Sequence, residues 1–241
     1  MASPFNPYQA PAAEPLPSVG AGDFDIGRTI SDGFERTKQY LGPAIGVLLL
    51  GGLLMALSAI TVIGYFMAVP VFAFGLIKFF LNMQDQRQAQ LNDLFVGFSN
   101  YWTVLGRMLL VSLIYIVSAL LSESLVFVGQ FMKSPLLTFV GYLIYLAFFA
   151  LVLARWYFTF FFVVDRDMPA MDALSASWRV TQGKSLKMVG LALLAGLIAG
   201  CGVLALCVGV LFTIPMSYLM YASAYRQVVG YGPPPAGGWG T

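Results

Sequence analysis

The chain has 241 residues, of which 59% are hydrophobic, 15% aromatic and only 10% charged, with a formal net charge of +2. Soluble domains carry nearer a quarter charged residues, so this chain lacks the polar surface to coat a water-soluble globule and reads as an integral membrane protein. It has no histidine and two cysteines, Cys201 and Cys207. That excludes Ser-His-Asp and Cys-His catalysis, His-ligated metals, four-cysteine zinc sites and iron–sulfur clusters. No metal or other cofactor is expected, and no basic patch interleaved with aromatics points to nucleic acid.

Residues 1–22 are rich in Pro and Ala, without Lys or Arg and without an apolar run. They read as a solvated tail, not a signal peptide. A bilayer core takes roughly 20 apolar residues per helix, and on that ruler residues 23–228 form one domain of six spans, at about 43–64, 65–82, 104–127, 135–163, 186–202 and 204–225. Gly64 marks the first tight turn, and the chargeless 200–208 region marks the last. Pro70 and Pro215 fall inside spans two and six and should bend them. Residues 229–241 form a second tail, whose Pro233–Pro235 run favours polyproline II and offers a docking peptide for a cytoplasmic partner.

Twelve of the thirteen Lys and Arg residues, all but Lys133, fall on one side of this arrangement. The positive-inside rule puts that side, with both termini and both long loops, in the cytoplasm. Each of the three hairpins is preceded by an amphipathic segment, at 25–43, 90–102 and 168–184. Ile26, Ile30 and Phe34 share a helical face in the first, Leu91, Leu94, Phe95 and Phe98 in the second, and Met171, Leu174 and Trp178 in the third. Asn92 is expected to cap the second and Asp167 the third. Ile30-x-x-Gly33-Phe34 lines up with Leu94-x-x-Gly97-Phe98 and Leu174-x-x-Ser177-Trp178. The expected fold is therefore an all-α helical bundle, three hairpins with a possible threefold internal repeat. Its amphipathic helices would form a collar at the membrane interface, anchored by Phe34, Phe98 and Trp178.

The opening ISDGFERTKQYLGP, the segments DLFVGF and DALSASWRVTQGK, and the ending FTIPMSYLMYASAYRQV make residues 25–228 resemble a family of uncharacterised bacterial inner-membrane proteins. These in turn resemble the membrane domain of glycerophosphoryl diester phosphodiesterases. The resemblance implies a six-helix domain in the inner (plasma) membrane. It does not imply phosphodiesterase activity, because the catalytic domain of those enzymes is a separate soluble unit with no counterpart here.

Few residues suggest a site. Arg155 lies within span four, where a charge must snorkel or pair; Asp165 or Asp93 are candidate partners. With Arg107 and Lys78 it forms a candidate basic pocket for an anionic lipid headgroup. Glu123 and Lys133 should pair on the outer side. Ala192, Gly196 and Gly200 form a small-residue stripe for close packing, by default against span six. Cys201 and Cys207 read as two buried thiols, with a disulfide left open. Gln182-Gly183-Lys184-Ser185 has Trp178 where a phosphate-binding loop needs its first glycine, and is set aside. Leu219-x-Tyr221-x4-Arg226 fits a loose sterol-contact pattern. The functional expectation is a non-enzymatic scaffold acting on cytoplasmic partners or inner-leaflet lipids. The alternatives are a small transporter using Ser58, Thr61, Ser112, Ser118, Arg155, Thr213 and Ser217, and a lipid-handling enzyme using Asp165, Asp167 or Asp93.

Overall fold

The computed structural model describes residues 23–87, 89–149, 154–204 and 209–230, so most of both expected tails, including Pro233–Pro235, lies outside the described residues. The described residues form α-helices α1 (Ile26–Gln39), α2 (Leu41–Ser58), α3 (Val62–Gln84), α4 (Tyr101–Phe131), α5 (Pro135–Phe148), α6 (Ala154–Trp156), α7 (Phe158–Arg166), α8 (Ala170–Val180), α9 (Ser185–Leu204) and α10 (Val210–Val229). A 3-10 helix spans Leu91–Phe98. Among the described residues, four stretches are long and apolar enough to cross a membrane: Leu41–Ser58, Ile63–Gln84, Tyr101–Phe131 and Ser185–Val203.

The core is built by α3, α7 and α10, which pack against one another, while α2, α4 and α9 lie outside them. Phe74, Phe79 and Phe80 of α3, Phe158, Phe161 and Phe162 of α7, and Met220 and Tyr225 of α10 are fully buried. Fully burying one such side chain is worth about 1.5–3 kcal/mol, so this half of the bundle holds most of the packing energy. Away from it, Leu49, Leu53 and Leu57 of α2, Leu113, Leu120 and Leu121 of α4, and Leu136, Phe139 and Leu143 of α5 are exposed. An apolar surface of that extent suits lipid, not water. The α4–α5 pair is tight because Gly129 and Gly141 leave room for the backbone at Thr138 and Val126.

Several expected boundaries move. The first hairpin turns at Ala59–Thr61, not at Gly64: the Thr61 hydroxyl accepts the Gly64 N–H at 3.1 Å and starts α3, as a threonine N-cap does. Within span four, residues 150–153 lie outside the described residues, and Tyr157, between α6 and α7, keeps helical angles at φ −57° and ψ −35°. Pro70 and Pro215 do lie inside α3 and α10, each removing one backbone hydrogen bond. Part of the last turn, 205–208 with Cys207, lies outside the described residues; Cys201 is exposed with a free thiol, not buried as expected.

Each amphipathic segment lies lengthwise against a core helix. Along α1 the buried residues are Thr29, Gly33 and Thr37, while Phe34 is exposed and Ile26 and Ile30 only half-buried. Along α8 they include Ala173, Ala176, Ser177 and Val180, with Met171 and Trp178 exposed. Small side chains let two helices approach closely, so the small stripe takes the protein contact and the large apolar stripe is turned outward. A Cβ on Gly33 would meet Met220 Cγ at 2.8 Å and the Met216 carbonyl at 3.2 Å on α10. One on Gly97 would meet Val71 on α3, and the Ser177 hydroxyl donates to the Arg155 carbonyl of α6 at 2.6 Å. The second segment is a 3-10 helix of three residues per turn, which sends Leu94 and Gly97 inward and leaves Leu91, Phe95 and Phe98 outside. Asn92 does not cap it; the Asp93 carboxylate accepts the Gln90 N–H at 3.1 Å instead.

Candidate functional site

The chemistry of the chain converges where α3, α7 and α10 end. Asp85 is the C-cap of α3, Asp165 lies in the last turn of α7 and Arg226 in the last turn of α10. A helix C-terminus repels an acid and attracts a cation, so both aspartates sit against the backbone dipole and need a counter-charge. Arg226 supplies it. Its Nε and Nη2 donate to Asp85 Oδ1 and Oδ2, and its Nη1 and Nη2 to Asp165 Oδ2 and Oδ1, all four bonds at 2.7 Å. The Tyr225 hydroxyl adds a bond to Asp165 Oδ2 at 3.0 Å. The side chains of Arg226, Asp85 and Asp165 are only 4%, 5% and 12% exposed. Arg87 and Arg166 lean on the same carboxylates, at 3.8 and 3.3 Å from their Nε atoms. Burial pushes the Asp165 carboxyl up, but the Arg226 guanidinium outweighs it and holds the group below its ordinary value.

This buried clasp was not foreseen. A guanidinium presented as a fork to two carboxylates is a strong, directional arrangement. The available signal was positional: Asp85 precedes Gly97 at the same offset as Asp165 precedes Ser177, so the two acids occupy equivalent places relative to the amphipathic segments.

The expected pocket residues are engaged separately. Arg107 Nη1 donates to the Asp167 carboxylate and, at 2.9 Å, to its carbonyl oxygen. Asp167, in the left-handed conformation at φ 53°, therefore holds α4 and does not cap α8, whose N-cap is Pro169. Lys78 is half-buried on α3, within electrostatic reach of Asp165 and Asp93. Arg155 pairs with neither candidate acid: Asp165 is held by Arg226, and Asp93 by Asn82 Nδ2 at 3.0 Å and the Gln90 N–H. Arg155 instead donates from Nε to Thr181 Oγ1 at 3.1 Å and from Nη2 to the Trp178 carbonyl at 2.7 Å. Its Cζ lies 3.7 Å from the Trp178 ring centroid.

The remaining candidates disperse. Phe34 packs edge-on to Phe212, and Phe98 against Phe72 and Tyr101. Among the described residues, Gly196 and Gly200 face open space, and Ala192 is half-buried beside them. The packed face of α9 runs through Met188, Leu191 and Ala195 instead, where the Ser217 hydroxyl donates to the Ala195 carbonyl at 3.2 Å. Glu123 and Lys133 form no ion pair among the described residues; Glu123 lines a cavity of about 300 Å³ with Gln130, Tyr142 and Tyr145. Leu219 and Arg226 of the sterol-like pattern are both buried.

The stretch from the later part of α4 to Tyr225 takes in two core helices and one acid of the clasp. Residues 126–225 match the family model for the membrane domain of glycerophosphoryl diester phosphodiesterase. Over those residues the chain is similar to that membrane domain, and with four candidate spans among its described residues it is a multi-pass membrane protein. The matched stretch includes Arg155, Asp165 and Trp178 and stops one residue before Arg226. No curated protein and no solved structure matches the chain.

Proposed function

We propose that the chain is a non-enzymatic scaffold of the inner membrane, with six spans in three hairpins, whose cytoplasmic end is held together by Arg226 to receive a protein partner or inner-leaflet lipid. Residues 135–163, from α5 into α7, serve as the fourth span and α10 as the sixth. The carrying observation is the clasp. One guanidinium ties the ends of the second helices of all three hairpins, and in doing so engages Asp165, one of the acids offered for a catalytic centre.

Three further features support this reading. The packing of α1 on α10, of the 3-10 helix on α3 and of α8 on α6 and α7 repeats one contact three times. In the second and third units the segment packs on the helix just before it; α1, the first helix among the described residues, packs on α10, the last. That is what a threefold repeat closed into a ring requires. Three of the polar residues offered for a transport path are engaged locally: Ser58 donates to the Met55 carbonyl, Thr61 caps α3, and Ser217 donates to the Ala195 and Thr213 carbonyls. Ser112 lines an apolar groove of about 510 Å³ between α3 and α4, beside Pro70 and Leu113. The acids offered for catalysis are likewise held, Asp165 by Arg226, Asp167 by Arg107 and Asp93 by Asn82. The basic end then faces the cytoplasm by the positive-inside rule.

The test is crosslinking and co-purification in mild detergent, comparing the full chain with one lacking residues 1–22 and 228–241. A scaffold with docking tails captures a defined partner set that shrinks when the tails go. Identical sets from the two chains refute docking through the tails. No partner, together with solute flux in proteoliposomes of the purified chain, refutes the scaffold.

A further inference from the structure

Among the charged groups, Arg155 differs in kind. It is only 8% exposed, yet its protein partners are a hydroxyl, a carbonyl oxygen and an aromatic ring, all neutral. Among the described residues no carboxylate lies within ion-pair distance of it. The other deeply buried guanidinium, Arg226, has two aspartates; Arg107 has Asp167 and Lys187 has Asp23. A buried cation without a counter-charge is costly, and in a membrane segment such a residue marks a site by default. Placement at the C-terminal end of α8, beneath the Trp178 carbonyl, recovers part of that cost but brings no full negative charge. Nη1 makes no hydrogen bond within the described residues.

The surroundings carry the same sign. Arg179 is exposed and forms no ion pair among the described residues, and Lys184 lies in the turn that leads to α9. Asp172, the acid of α8, is in its first turn, at the opposite end from Arg155. The segment that holds Arg155 through Trp178 and Thr181 thus also carries Arg179 and Lys184, whose Nζ donates to the Val180 carbonyl at 3.2 Å, beside a half-exposed indole. It also lies at the boundary between the buried half of the bundle and its exposed apolar half, because α9 runs from Lys184 into a segment long and apolar enough to cross a membrane. An unfilled guanidinium donor, two more cations and an indole at that level have the chemistry of a phosphate site.

We infer that the α8–α9 corner, with Arg155 at its base and Arg179 and Lys184 at its rim, binds a phosphate group, and that this group is the headgroup phosphate of an anionic inner-leaflet phospholipid. The inference rests on the proposed cytoplasmic placement of this end and names the lipid class that the scaffold would hold. Of the Arg107, Arg155 and Lys78 that the sequence suggested, only Arg155 belongs to this corner, while Arg107 is bonded to Asp167.

The experiment is native mass spectrometry of the full chain in detergent, titrated with phosphatidylglycerol, with phosphatidylcholine and with inorganic phosphate, and melting temperatures taken on the same samples. Arg155→Gln should weaken phosphatidylglycerol binding about tenfold, the size of one charge-assisted contact. The double variant Arg179→Gln/Lys184→Gln, which leaves the buried contacts of Arg155 in place, should weaken it severalfold. Arg28→Gln, on the exposed face of α1, should change nothing. If Arg155→Gln does not fold, the double variant decides. Inorganic phosphate that competes as strongly as the lipid, and loses affinity in the same variants, upholds the phosphate site and assigns it to the free ion. Folded variants that bind phosphatidylglycerol as the parent does, or an Arg28→Gln loss of the same size, overturn it. Neither result touches the clasp, whose failure would be read in the stability of Arg226 variants.

Discussion

Replacing Arg226 with Gln tests the energetic weight of the clasp. Four hydrogen bonds of 2.7 Å would be lost. Asp85 and Asp165, with side chains 5% and 12% exposed, would keep their charge without their principal partner. Removing one member of a buried ion pair costs about 3–5 kcal/mol, because the other is left uncompensated. Arg166 at 3.3 Å and Arg87 at 3.8 Å remain and offset part of that, so the lower end, about 3 kcal/mol, applies. At roughly 2–4 °C per kcal/mol for a domain of this size, the melting temperature in mild detergent should fall by about 6–12 °C. The triple variant Arg226→Gln/Asp85→Asn/Asp165→Asn removes the stranded charges as well, and should recover more than half of the loss, since exchanging a whole buried ionic group for neutral residues is often nearly neutral. Intrinsic fluorescence against temperature reads all three proteins. An Arg226→Gln melt that coincides with that of the parent, or a triple variant less stable than the single one, would refute the reasoning.

Other predictions follow from the same geometry. Gly75→Ala puts a methyl group into the Leu94 backbone and should destabilise by about 1–3 kcal/mol; Gly196→Ala and Gly200→Ala, with open space around them, should not lower the melting temperature. Tyr225→Phe removes one hydroxyl from Asp165 and should cost about 1.5 kcal/mol in the same thermal assay. Because the Asp165 carboxyl is held below its ordinary value of 3.8, its contribution to stability is complete above that value and disappears as the pH falls through the lower, folded-state value. The melting temperature should therefore show no step from this group between about pH 8 and 5 and a fall below about pH 4; the fall should be smaller in the triple variant.

What the sequence made legible was what short-range pattern controls. α2 and α9 are uniformly apolar, so length alone identified them, and the turn signals placed the hairpins within a few residues. The 3-10 form of Leu91–Phe98 was not legible, because apolar residues three and four apart suit either helix type. The large apolar stripes, Ile30, Leu174 and Trp178 among them, were found; the small residues beside them that make the protein contact, Gly33, Ala173 and Ser177, were not read as a packing face. A stripe of large residues means a protein core in water; beside a bilayer it serves equally as a lipid face. The clasp was out of reach for a different reason. Arg226 meets Asp85 across 141 residues and Asp165 across 61, and no local pattern reports a pairing at that range. Arg155 drew notice through its place in an apolar run, but its partners, Trp178 and Thr181, belong to a helix whose docking no single segment encodes.

The central claim is that one arginine joins the ends of the three inner helices. A density map of the full chain in a lipid nanodisc at side-chain resolution tests it most directly. The account predicts the Arg226 guanidinium lying between the carboxylates of Asp85 and Asp165, with α3, α7 and α10 innermost. A map with Arg226 turned toward the lipid headgroups and the two aspartates apart would contradict it.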